Sequence, residues 1–215
     1  MSTLDEYWKL CKAHRDIYAT KPLKLLQYPR RYERVIEFLQ QAGWQVKTVL
    51  EVGCLTGYGM EILSKAGYDL LGIEVSRQAI QKRVNRNIIA ASIEHLPFKD
   101  KAFDLVFSVA VLEHLGIAGV DFFLKELMRV GRYNYHSPAF ACGYEEGWHS
   151  TVRPLGFWTD RLKNLGGGLD LWHLEDIVWA DGVCIGVKKR RRSSKDIIHI
   201  DRRIRRRGKA HASRQ

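Results

Sequence analysis

No run of this sequence comes near the roughly eighteen consecutive apolar residues that a membrane-spanning helix needs. The opening residues Met1-Ser2-Thr3-Leu4-Asp5-Glu6 lack the basic-then-apolar pattern of a secretory leader. Cysteine is scarce, with four residues at positions 11, 54, 142 and 184. None is spaced as a zinc ligand pair, and four scattered thiols do not make a small disulfide frame. Together these absences predict a cytoplasmic protein with reduced thiols and no metal centre. At 215 residues the chain is long enough to bury one full α/β core.

Net charge is missing from most of the chain as well, although the total is +11. Of the 35 Lys and Arg, 13 lie within residues 188–215, alongside two of the 24 acids, so the remainder carries 22 of each sign. The body is therefore electrically neutral and the excess resides in one segment. That segment, from Lys188-Lys189-Arg190-Arg191-Arg192 to Arg205-Arg206-Arg207, repels itself and holds too little apolar surface for a core. It is predicted to be a flexible tail. Nucleic acid or another anionic partner is one reading, since clustered cations release counterions from phosphates. A solvated extension or a protein-docking arm is the other. The tail has no aromatic side chain for base stacking, which favours backbone contact over sequence reading.

Chemistry enters at Val49-Leu50-Glu51-Val52-Gly53-Cys54-Leu55-Thr56-Gly57-Tyr58-Gly59. A β-branched run ends in an acid and breaks into a glycine-spaced turn, and Met60 to Lys65 then reads as a helix. Strand, glycine turn and helix N-terminus are how an α/β sheet presents backbone to a nucleotide-like ligand. Tyr68 to Ser76 reads as a second strand, with Glu74 at its end, at the offset where a carboxylate can hold ribose hydroxyls. After Ala91-Ser92-Ile93-Glu94-His95-Leu96-Pro97-Phe98 comes Ala102-Phe103-Asp104-Leu105-Val106-Phe107-Ser108, and then Leu112-Glu113-His114-Leu115.

This ordered set resembles the class I S-adenosylmethionine-dependent methyltransferases, in particular the type 11 group. The resemblance covers roughly residues 30–135. The leucine-proline-phenylalanine segment, the Phe103-Asp104 pair and the Leu112–Leu115 element carry it more specifically than the glycines. It implies a Rossmann-like, seven-stranded, mostly parallel sheet with a reversed last strand and helices on both faces. It implies S-adenosyl-L-methionine as cofactor, with Glu51, Gly53, Cys54, Thr56 and Gly57 along the methionine end. Cys54 is read as a small packing residue within that turn. Glu74 would hold the ribose, Val75 would pack on adenine, Ser92 and Ile93 would face the adenine edge, and Ser108 would lie near the sulfonium. Two positions depart from the pattern. Leu55 stands where a glycine is expected, and Ser92 stands where the family has an acid.

The apolar spacing predicts helices over Leu4–Ala19, from Tyr28-Pro29 to Ala42, over Phe122–Val130 and over Gly156–Leu165. Strands are expected at 48–53, 69–74, 88–92 and 103–109, with a fifth at Arg132–His136 and a final pair near 169–175 and 177–187. The division expected is a helical cap over 1–46, a methyltransferase domain over 47–187 and the tail over 188–215. Methyl transfer needs aligned reactants, and a base only where the acceptor has a proton to lose. Glu113, His114, His136 and His149 are the base candidates, with pocket-shaping roles the alternative for Glu113 and His114. The loop from Gly147 to Trp158 is similar to one in relatives that modify sugars, lipids or small metabolites. After the fourth strand the chain reads Ser108-Val109-Ala110-Val111, without the Asn/Asp-Pro-Pro-aromatic element of DNA amino-methylation. A small-molecule, lipid or glycan-like acceptor is the leading expectation. An RNA acceptor clamped by the tail, or a non-catalytic partner subunit, are the alternatives.

Overall fold

The structure is a computed structural model that describes residues 29–138, 151, 153–166, 169–173 and 185–189. The expected first helix over Leu4–Ala19, most of the basic tail and residues 139–150, with His149, lie outside the described residues.

Five parallel strands form the centre: β1 (Thr48–Val52), β2 (Asp69–Glu74), β3 (Ile88–Ala90), β4 (Phe103–Val109) and β5 (Gly131–Ser137). Their order across the sheet is β3-β2-β1-β4-β5. The reversal of direction about β1 leaves a crevice at the strands' C-terminal ends, the usual ligand position of such sheets. The helices are α1 (Pro29–Ala42), α2 (Tyr58–Lys65), α3 (Arg77–Gln81), α4 (Val120–Val130) and α5 (Leu155–Gly166). Two further strand segments, β6 (Leu169–His173) and β7 (Ile185–Lys189), follow α5. The second begins eight residues later than the sequence pattern placed it.

Alternation along the strands builds a core on each face of the sheet. Leu50, Val52 and Val106 pack with Leu124 and Leu127 of α4 and with Trp158 and Leu162 of α5. Val49, Leu105, Phe107 and Tyr135 point the other way, against Val35, Phe38 and Leu39 of α1 and Met60 and Leu63 of α2. The helix α1 is therefore part of the main core. Trp44, just after it, stacks on Tyr133 at 4.4 Å, nearly parallel.

Two polar knots hold the end of the sheet opposite the crevice. Asp104, at the start of β4, accepts bonds from the Lys47 and Thr48 amides at 3.0 and 2.9 Å and from the Thr48 hydroxyl at 3.0 Å. These donors hold its carboxyl below the ordinary range, overcoming an opposing effect of burial. Arg129 of α4 donates to the carbonyls of Phe98 and Leu96 at 2.7 and 3.2 Å and pairs with Glu126 and Asp100. Phe98 meets Phe103 edge-on at 4.9 Å. The motif stretch from Leu96 to Asp104 is thus a scaffold joint. Arg129→Met should destabilise the fold by about 2 kcal/mol in urea unfolding, because two carbonyls lose a charged donor.

Candidate functional site

The turn after β1 is bound to β2 before any ligand is considered. The amides of Gly53 and Cys54 both donate to the Ile73 carbonyl, at 2.9 and 3.1 Å. The Leu55 amide donates to Oε2 of Glu74 at 2.9 Å, while Oε1 accepts from the Val75 and Ser76 amides at 2.8 Å each. Glu74 is 5 % exposed. Burial raises its carboxyl above the ordinary range, and the three amides pull against that rise. A carboxylate offers about four acceptor positions, so one lone-pair direction is left for a further donor.

The turn itself needs left-handed backbone at Gly53, Leu55 and Gly57, with φ of 71°, 52° and 77°. Glycine adopts this freely; leucine does not. A second such residue, Ala110 with φ 54°, ends β4 and donates its amide to Ser137 at 2.9 Å. A Cβ on Gly53 would come within 2.6 Å of the Val111 side chain, so the turns after β1 and β4 press on each other. Left-handed non-glycine residues at both strand ends are the kind of backbone strain that collects at functional sites. Gly57 also caps α2 without any side-chain bond, leaving the first-turn amides without a side-chain acceptor.

Glu51 lies on the other face of β1, 1 % exposed. Its Oε1 accepts the Tyr32 hydroxyl at 2.7 Å, and its Oε2 is buried without a partner among the described residues. Burial pushes this carboxyl up to about 8, opposed by the Tyr32 bond and reinforced by Glu74. Tyr32 lies on α1, which apolar spacing predicts; its partner is 19 residues away and carries no local signal. Its ring also lies flat against the turn. A Cβ on Gly59 would fall 1.9 Å from two ring carbons.

Most of the expected site residues come together at these strand ends. Thr56 is buried, and its carbonyl accepts the Val84 amide at 2.8 Å. The Cys54 thiol is buried where a Cβ on Gly72 would sit 2.5 Å from Sγ, which suits a packing role, and burial pushes it up, away from thiolate. Val75 is 38 % exposed, an open apolar surface just after β2. The Ser92 hydroxyl accepts the Glu94 amide at 3.2 Å. The Ile93 side chain is in the core cluster with Leu50 and Ile73. Ser108 Oγ and His136 Nδ1 are 2.9 Å apart, side by side on β4 and β5, and burial pushes His136 down to about 3. Glu113 and His114 sit in a short 3-10 turn, Leu112–His114, with Glu113 fully buried. The Glu113 carbonyl accepts the Thr151 amide at 2.9 Å. His149 lies outside the described residues.

Comparison with known proteins agrees with this geometry. Residues 50–134 match the family described as "Methyltransferase domain". The chain is 33 % identical over 132 residues to an uncharacterised protein of Methanocaldococcus jannaschii, covering 60 % of this chain and 47 % of that one. It is 31 % identical over 91 residues to the ubiquinone biosynthesis O-methyltransferase of Hydrogenovibrio crunogenus, covering 37 % of each. The chain thus spans less than half the length of these curated relatives. Among solved structures it superposes on the magnesium protoporphyrin IX methyltransferase of Synechocystis with bound S-adenosylhomocysteine, at a TM-score of 0.57 and 15 % identity, over 75 % of this chain and 83 % of the other. At that identity the likeness is one of fold. Residues 50–134 thus match the methyltransferase-domain family, and the described strands and helices share the Rossmann-like fold of the methyltransferase structures.

Two measurements follow from the strained turn and the buried acid. Leu55→Gly should be more stable than Leu55→Ala by about 1 kcal/mol in urea unfolding, the reverse of the usual order, because φ is left-handed there. Glu51 holds its proton to a higher pH when folded than when unfolded. Its burial therefore costs stability progressively as pH rises from about 4.5 to about 8. Glu51→Gln should raise Tm more at pH 8 than at pH 5, as thermal melts across that range would measure.

Proposed function

We propose that this protein binds S-adenosyl-L-methionine across the ends of β1, β2 and β4 and transfers its methyl group to a small-molecule, lipid or glycan-like acceptor. The observation that carries the reading is the joint between the Leu55 amide and Glu74, which sets the glycine turn and the acid at the end of β2 against each other. The residues present fit the cofactor. Glu51 offers a buried oxygen with no partner among the described residues, Gly57 leaves the α2 amides open, and Glu74 keeps one acceptor direction. The relative named as an O-methyltransferase supports a hydroxyl acceptor.

In this reading Glu51, Gly53, Cys54, Thr56 and Gly57 bind the methionine end, the first by its carboxylate and the others by backbone. Glu74 binds the ribose, Val75 covers one adenine face, and Ser92 and the Ile93 backbone meet the adenine edge. Ser108 closes the floor beneath the reacting centre. When bound, the cofactor supplies an electrophilic methyl group on a sulfonium. The protein's own contribution is alignment and exclusion of water. Glu113, His114 and His149 are the groups assigned to take a proton from the acceptor. Glu113 and His114 lie in the turn that Val111 presses against Gly53.

The sheet is further proposed to continue beyond β5 to seven strands with the last one reversed. The antiparallel register that sets Tyr133 opposite Lys188, and Leu171 opposite Val187, supports this. The division into a cap over 1–46, a domain over 47–187 and a tail over 188–215 would then shift, because α1 packs in the main core and β7 takes in Lys188 and Lys189. The tail's charge supports a second reading, an RNA acceptor held through its phosphates.

Isothermal calorimetry with S-adenosylmethionine and S-adenosylhomocysteine tests the proposal directly. Micromolar binding is expected, with Glu74→Ala weakening it at least tenfold, about 1.4 kcal/mol. An absence of heat with either compound would overturn it. For RNA, replacing Arg202, Arg203, Arg205, Arg206 and Arg207 with Gln should lower the slope of log affinity against log salt by about three. An unchanged slope would remove the tail from RNA binding.

A further inference from the structure

Tyr32 has no part in the family resemblance, yet it touches the candidate site at three points. Its hydroxyl donates to Glu51 at 2.7 Å, its ring covers Gly59 where α2 begins, and its edge meets Phe107 of β4 at 6.1 Å. The hydroxyl takes one oxygen of Glu51 and turns the other, Oε2, into a buried position that no described group satisfies. The groups facing this carboxyl are few. From α1 comes Tyr32, on which Arg31 acts; from β2 comes Glu74; from the turn comes the Cys54 thiol. Among the described residues no cation contributes to the shift at Glu51. A carboxyl so placed keeps its proton until a positive partner arrives.

We infer that Tyr32 is a positioning residue that holds Glu51 ready to exchange its proton for the α-ammonium group of an amino-acid-bearing cofactor, so that cofactor binding expels a proton. This rests on the proposed cofactor and adds to it a residue of α1 and a proton linkage. The balance is simple. Neutral Glu51 loses one proton to solvent, and the resulting carboxylate forms an ion pair with the incoming ammonium. Tyr32 keeps its own proton throughout, because burial and the neighbouring acid push its hydroxyl further up. The exchange explains why a buried acid stands on β1 without a cation among the described residues. The free protein is spared an unpaired charge, and the bound one gains a desolvated ion pair with a tyrosine bond at its other oxygen.

Because Glu51 is pushed to about 8 by burial, affinity should increase about tenfold per pH unit below that value and level off above it. Calorimetry with S-adenosylhomocysteine on the full chain, in buffers of different ionisation enthalpy between pH 6 and 8.5, reads both affinity and protons released. The wild type should release nearly one proton per molecule bound at pH 7. The Tyr32 bond favours the ionised form of Glu51, so Tyr32→Phe should move the bend to higher pH. A displacement of about one unit would weaken binding by about tenfold at pH 7 and about threefold at pH 8.5. Glu51→Gln should bind with no proton release and no bend, which keeps the inference testable should Tyr32→Phe fold poorly. A flat wild-type profile with intact binding would overturn the inference and leave the cofactor assignment standing. So would a Tyr32→Phe loss of equal size at every pH, which is what a merely structural tyrosine produces. An absence of binding at any pH would overturn both.

Discussion

The bond from the Leu55 amide to Glu74 is the constraint on which the site depends. β1 and β2 would lie parallel without it, since their ladder ends at Val52 and Ile73. The turn beyond the ladder has no regular structure of its own. Glu74 supplies the missing order by gathering amides from two segments 19 residues apart. The cost is a carboxylate taken almost out of water, which three charge-assisted hydrogen bonds offset. The turn's left-handed residues, including a leucine in a region that L side chains avoid, persist because this anchor and the Ile73 carbonyl leave the backbone little choice.

The two ends of the sheet follow different rules. At the strands' N-terminal ends, Asp104 and Arg129 satisfy backbone groups with charge, and the aromatic pair Phe98–Phe103 fills the space between. At the C-terminal ends, polar groups are buried with unused capacity, as at Glu51 Oε2 and at His136 Nε2 among the described residues. The first arrangement lowers the energy of the fold, and the second raises it. A protein can keep the second only when the first, with two apolar cores, leaves stability to spare.

How much was legible in the sequence depended on whether the signal was local. Strand β2 and strand β4 fall at the residues that apolar alternation gave, and β1 ends one residue short. The fifth strand was the weakest expectation, because Arg132 to His136 is polar and aromatic. Tyr135 and His136 are nevertheless fully buried, one on each side, so the segment reads as a strand only once its neighbours are known. Glu51, Glu74 and the glycines were marked by spacing along the chain. Tyr32 was not, since a tyrosine at helical spacing looks like core until the acid it meets is placed. The most specific motif, Leu96 to Asp104, lies inside the stretch that matches the methyltransferase-domain family, for a reason unrelated to chemistry. Its residues join β4 to β1 and to α4, and the carboxylate of Asp104 never approaches the crevice end.

The contact between Tyr32 and Gly59 has a consequence for how such a chain can diverge. A ring lies where any side chain at position 59 would have to go. The two positions therefore cannot drift independently: bulk is admitted at 59 only after it has been given up at 32. Giving it up at 32 strips Glu51 of its hydroxyl partner. The intermediate along that path lacks the hydroxyl bond to Glu51. Sequences at its two ends would share one backbone while remaining mutually hard to reach by single substitutions.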